Sequence, residues 1–218
     1  MSYLNLYNIR EEIVVFLRNS DIFTTTVRGV TTVTEEFDGD DNATDFAVTQ
    51  ATIKNVRSVT VGGVAQSFGT DYTVNYSTKT VSFTTAPATG TDNVDIQYDY
   101  GTDKIFPDFP RPDLTISSFP RIGVDLIGVS SEPGGFGNVN ASDIDFMVVV
   151  YAATTKDISN YITTIRQKFI DAQKSFYYMN DVRPLRIGPI INNPTEKTKD
   201  KIEQQNIDFR SYLNYEIN

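Results

Sequence analysis

The chain has 218 residues, with 28 acidic and 19 basic side chains, and contains neither histidine nor cysteine. A formal charge of −9 repels a phosphate backbone, and the missing residue types exclude a disulfide framework, a thiolate nucleophile, an imidazole base and the commonest zinc ligands. With 39% hydrophobic and 22% charged residues the balance is that of a folded globular chain, long enough for one ordinary domain and one small one.

Leu6, Ile9, Ile13, Phe16 and Leu17 recur at helical spacing, while Arg10, Glu11, Glu12 and Arg18 fall mostly elsewhere. This predicts an amphipathic helix over residues 4–19 that packs on a sheet. Those interrupting charges also break any basic-then-apolar leader pattern. The longest apolar run, residues 146–153, has strand length, well short of the ~20 residues of a membrane span. A soluble protein without a membrane partner is expected.

From residue 25 to residue 102 the apolar period becomes two, with no helical stretch. Asp38-Gly39-Asp40-Asp41-Asn42 reads as a loop, and Gly62-Gly63 after Val59-Thr60-Val61 as a hairpin turn. Tyr72, Val74 and Tyr76 alternate with polar residues, as do Val81 and Phe83, and then Val94, Ile96, Tyr98 and Tyr100. Regular short strands at this spacing predict a small antiparallel sandwich. The charge is uneven: residues 25–103 hold 11 acidic and 4 basic side chains, the rest 17 and 15.

Residues 106–112 carry three prolines and read as a stiff extended return from this insert. Ile122, Val124 and Leu126 then alternate into a strand ending near Ser130, followed by a glycine-containing loop over 132–140. Residues 144–152 are apolar at both parities, which predicts a central strand covered by helices on both faces. Asp157 is placed as the cap of a helix running to about Tyr178, with Ile158, Tyr161, Ile162, Ile165, Phe169 and Ala172 on its apolar side. A short strand is expected over 185–191, a loop or short solvated helix over 192–205, and a closing strand over 207–217 with Ile207, Phe209, Leu213, Tyr215 and Ile217 on one face. The fold class is α+β: a helix-covered sheet of about four strands (residues 1–24 and 105–218) with an inserted all-β antiparallel sandwich (residues 25–104).

Constellations that could carry chemistry are few. Asp38, Asp40, Asp41, Asn42 and Asp45 form the densest carboxylate cluster, but the glycine position and Thr49 at the twelfth place do not fit a calcium loop. They read as a solvated acidic loop. Gly134-Gly135-Phe136-Gly137 leads into a strand and lacks the lysine or third glycine of a phosphate loop. Asp143 and Asp145 face one side of a strand and could in principle act as paired carboxylates, though a polar strand start explains them more simply. Lys197, Lys199 and Lys201 are interleaved with acids and form no basic patch. No enzymatic activity, metal or cofactor is expected.

Phe119-Pro120-Arg121-Ile122-Gly123-Val124-Asp125, the run from Asp143 to Tyr151, the long helix after it and a terminal strand with Tyr212 and Tyr215 resemble the tail terminator (tail completion) proteins of tailed bacteriophages. The insert, above all its stretch 59–76, resembles the small immunoglobulin-like β-domains that decorate phage structural proteins. The resemblance implies a virion structural protein at the tail–neck junction, assembled in the host cytoplasm. It would form a hexameric ring that caps the tail tube protein and joins it to a neck or connector protein, while double-stranded DNA passes through the lumen without specific binding. Phe106, Phe109, Arg111, Phe136, Asn138, Tyr212 and Tyr215 are the candidate interface residues. A neck or head–tail connector is the alternative station. A carbohydrate-binding adhesion module using Tyr72, Tyr76, Tyr98 and Tyr100 is a third reading, set aside because these tyrosines alternate inward.

Overall fold

The computed structural model describes residues 6–107, 119–133, 139–194 and 201–216. In chain order it contains helix α1 (Leu6–Asn19), the single turn α2 (Thr25–Arg28), and strands β1 (Val30–Gly39), β2 (Asp45–Ala47), β3 (Ile53–Val61), β4 (Val64–Ala65), β5 (Tyr72–Asn75), β6 (Thr80–Phe83) and β7 (Gly90–Gly101). There follow β8 (Ile105–Phe106), β9 (Arg121–Pro133), β10 (Val139–Ala152), helix α3 (Thr155–Asp171), β11 (Asn180–Ile187), β12 (Ile191–Pro194) and β13 (Lys201–Glu216). The fold is α+β and mostly β, and the named strands pair antiparallel except β8 with β9. Two compact units emerge, residues 1–22 with 104–218 and residues 23–103.

In the smaller unit a four-stranded sheet, β1-β7-β3-β4, and a three-stranded sheet, β2-β6-β5, share one core. Phe46 meets Phe83 edge-on at 5.5 Å, and Val59, Val81, Val94 and Ile96 fill the space between the sheets. Tyr72 and Tyr98 are buried in this core and Tyr76 and Tyr100 pack against it, so none of the four is exposed. The expectation of a stretch without helix is corrected at its start. Residues 25–28 form a helical turn because Thr24 caps it, accepting the Val27 N–H at 3.3 Å, and Gly29 ends it in the left-handed region. The β-branched composition of Thr25-Thr26-Val27 reads as strand, but the two caps decide the conformation.

In the larger unit the sheet has six strands rather than about four, in the order β11-β13-β10-β9-β8, with β12 pairing onto β13. The additional strands, β8 and β12, are two and four residues long, too short to show a period. Residues 201–205, placed in a loop or short helix, begin β13 instead, and β12 pairs antiparallel with it through Ile191↔Gln204 and Pro194↔Lys201. Pro184 lies inside β11, which tolerates it because β11 is an edge strand.

Both long helices lie on one face of this sheet. Ile144, Phe146, Val148 and Val150 of β10, Ile207 and Phe209 of β13, and Ile122 and Val124 of β9 point toward them and are buried. Phe169 of α3 stands between Phe146 (5.7 Å), Phe209 (4.3 Å) and Phe16 of α1 (4.7 Å), which joins both helices and the sheet in one cluster. Among the described residues no helix covers the other face: the opposite parity of β10 carries Asp143, Asp145, Met147, Val149 and Tyr151, away from α1 and α3, although Val149 there is fully buried.

Helix α1 buries Ile9, Ile13, Val14 and Leu17, while Leu6 is exposed. Arg18, expected on the solvent side, is buried, and its Nη2 donates to the Ile105 carbonyl at 2.7 Å. Helix α3 ends at Asp171, not near Tyr178, since the chain must turn there to bring β11 beside β13. Its N-cap is Thr154, not Asp157. The Thr154 hydroxyl accepts the Asp157 N–H at 3.2 Å and donates to the Asp157 carboxylate at 2.7 Å, so cap and third residue hold each other. Thr154→Ala is expected to lower stability by about 1 kcal/mol, read from the midpoint shift in a urea melt.

Candidate interaction surface

The face of the larger sheet opposite the helices carries a cross-strand row of charges. Arg210 of β13 lies directly opposite Asp145 of β10, and its guanidinium is bidentate on that carboxylate at 2.7 and 2.8 Å. Asp143, two residues along, stands 3.8 Å from the same guanidinium. The hydrogen bonds and charge of Arg210 hold Asp145 below the usual carboxylate range, and Asp145 in turn pushes Arg210 up. A general acid needs the opposite shift. The pair weighed as paired carboxylates is thus an ion-paired strand feature, organised by an arginine that spacing along β10 alone does not reveal.

The row continues outward. Arg186 of β11 reaches Asp208 at 3.0 Å, Arg183 pairs with Asp181, and the Arg183 guanidinium lies 5.9 Å from the Tyr212 ring. Tyr212 is exposed, as expected of an interface residue. Tyr215 is placed in β13 opposite Asn140. Phe106 is half-buried at the other edge, where the Arg121 guanidinium sits 4.5 Å above its ring. Burial lowers the pKa of Arg121, and burial with the neighbouring Arg121 charge lowers that of Lys104. Phe109, Arg111, Phe136 and Asn138 lie outside the described residues, as do Lys197 and Lys199. The structure thus brings Tyr212 and Tyr215 onto one strand and sets Phe106 at the opposite edge of the sheet.

The acidic loop of the smaller unit binds its own backbone. Asp40 accepts the N–H groups of Ala43 and Asn42 at 2.6 and 3.0 Å, which lowers its pKa, and Asp38 accepts the Asp92 N–H at 2.7 Å. Among the described residues no three acidic side chains converge as a metal site would require.

Two charged sites were not visible in the periodicity. The first is Arg28, fully buried beneath the smaller unit's larger sheet. It donates to Asp99 at 2.7 Å, to both oxygens of Asp103 at 3.1 and 2.6 Å, and to Asn55 at 2.8 Å. Burial alone would raise the pKa of Asp99. Hydrogen bonds from Arg57 and Thr32, with the charges of Arg28 and Arg57, lower it instead.

The second is Glu12 on α1, whose carboxylate accepts the N–H groups of Tyr177 and, at 3.0 Å, Tyr178. Burial pushes Glu12 up to about 7, against the two hydrogen bonds that favour its charged form. The folded state therefore holds a proton that the unfolded chain releases above its ordinary value near 4.5. The resulting stability is fully present below pH 4.5 and is lost as pH rises through 7. Glu12→Gln removes this dependence. Relative to wild type, the variant is expected to gain about 2.5 kcal/mol between ~pH 5 and ~pH 8, measured as the change in the difference between two urea melts.

Among the described residues no helix is long and apolar enough to cross a membrane. The sequence matches no protein-family model, and a search of curated proteins finds no relative.

Proposed function

We propose that this chain is a structural subunit of a phage-type tail, a tail terminator whose larger unit forms a homohexameric ring between tail tube and neck. The observation that carries this reading is the layout of the larger unit. One face of its sheet is sealed by α1 and α3, and the other carries an ion-paired row from Asp143 to Arg186 with exposed Tyr212 at its margin. Paired charges around exposed aromatic and apolar groups suit a surface that fixes register between subunits rather than one that activates a substrate. The net charge of −9 supports a conduit that does not retain a passing duplex.

Virions assembled without this protein test the reading. Tails of uncontrolled length are expected in negative stain. Intact tails detached from heads would move the protein to the connector station, and normal tails on filled heads would exclude both.

A further inference from the structure

The six-stranded sheet ends on two strands whose outer edges are unpaired among the described residues. At one end is β11. At the other, β8 pairs with Ile122 and Gly123 of β9, and among the described residues no strand pairs the outer edge of β9 from Asp125 onward. These two edges hold four of the exposed large apolar side chains: Leu185 (53%) and Ile187 (44%) on β11, Ile127 (56%) and Val129 (37%) on β9.

Register places these groups in matching ways. Ile187 lies opposite Ile207, and Val129 opposite Ile144, so both are on the helix-bearing face. Arg183 and Arg186 lie opposite Arg210 and Asp208, and Asp125 lies opposite Met147, so all three are on the other face. The charges are complementary: Asn180–Ile187 carries two arginines against one aspartate, and residues 125–133 carry two acids and no base. The arginine side chains are 58% and 74% exposed. Finally, β11 and β9 run in opposite directions within the sheet, so a copy added at either end meets its neighbour antiparallel.

We propose that these edges join copies of this chain head to tail, β11 of one copy against the distal part of β9 of the next. On the helix-bearing face Ile187 meets Val129, on the other Arg183 and Arg186 meet Asp125, and the exposed Leu185 and Ile127 add apolar area along the seam. Pro184 supplies no N–H, and Leu185 and Ile127 are each the extra residue of a bulge, so side chains carry the contact more than an unbroken ladder does. Such interruptions also prevent indiscriminate strand addition. The interface is heterologous and therefore generates a ring when its rotation closes. This rests on the ring reading above and assigns the surface that builds it.

Light scattering of the purified full chain over a concentration series tests the assignment. Ile187→Asp and Val129→Asp are each expected to reduce the wild-type assembly to single chains. Mixed, they should give pairs and nothing larger, because each retains the edge the other has lost. If both variants keep the wild-type mass, the interface is wrong while the ring reading stands. If the wild-type chain stays single at every concentration, the edge assignment is overturned, and the virion experiment still judges the ring reading separately.

Should either variant melt below wild type, the charge pair decides. Arg186→Asp and Asp125→Arg should each weaken assembly at least ~10-fold, and together restore most of it. Absence of recovery in the double variant overturns the proposal.

Discussion

Replacing Phe169 with alanine is expected to destabilise the larger unit by about 3–5 kcal/mol, a large share of the stability of an ordinary domain. Phe169 is fully buried and touches four aromatic rings: Phe16 of α1, Phe146 and Phe209 of the sheet, and Phe176 beyond the helix, at 4.7, 5.7, 4.3 and 5.7 Å. Those neighbours come from four separate parts of the chain, so no single shift can close the void. Phe169→Leu keeps most of the volume and should lose about half as much or less. Chemical denaturation followed by the far-UV helix signal measures both, because α1 and α3 supply nearly all the helix and both rest on this ring. Equal losses in the two variants would mean that ring contacts, rather than filled volume, set the stability there.

The helix bearing Phe169 is legible in the sequence because Ile158, Ile162, Ile165 and Phe169 keep one face at helical spacing, and all four are buried. The strands of the smaller unit are legible for the matching reason, since Val94, Ile96 and Tyr98 alternate inward. Elsewhere local pattern and tertiary pairing disagree. Glu203, Gln204 and Gln205 look like a loop or short solvated helix, yet they pair with residues 150–152 of β10. A strand whose neighbours cover its backbone need not be apolar itself. Helix length fails similarly: nothing after Asp171 forbids another turn, and the return of β11 to β13 ends the helix.

The candidate surface was legible only in part. Tyr212 could be proposed from its place in a terminal strand, and it is exposed. Arg210 could not, because its role depends on lying opposite Asp145, a relation 65 residues apart in sequence. The environment of Glu12 is hidden from the sequence for a more general reason. A charged residue in an amphipathic helix reads as solvent-facing, but backbone N–H groups from a distant turn can draw its carboxylate inward. The edges of β9 and β11, unpaired among the described residues, belong to the same class, since strand order across a sheet is not written in any one segment.

Arg28→Ala is expected to destabilise the smaller unit by about 3–5 kcal/mol, with the loss arising from charge rather than volume. The guanidinium is fully buried and ties the start of the unit to its end: it holds Asp99 and Asp103 at the close of β7 and beyond, while Gly29 and Gly101 approach so closely that a Cβ on Gly101 would stand 2.5 Å from the Gly29 carbonyl. Removing it takes from Asp103 the two guanidinium nitrogens that solvate its two oxygens, and takes one donor from Asp99, which keeps those from Arg57 and Thr32. Arg28→Lys keeps the charge, but a single ammonium cannot reproduce the fork that reaches Asp99, Asp103 and Asn55, so an intermediate loss follows. The decisive variant is Arg28→Met combined with Asp103→Leu, which removes both charges while filling the space. It should be markedly more stable than Arg28→Ala, because a buried ion pair is costly to break from one side yet often replaceable as a whole. Hydrogen exchange of the β1 and β7 amides reads these differences directly. If the double variant exchanges as fast as Arg28→Ala, the cluster owes its stabilising effect to hydrogen-bond geometry that no apolar pair can replace.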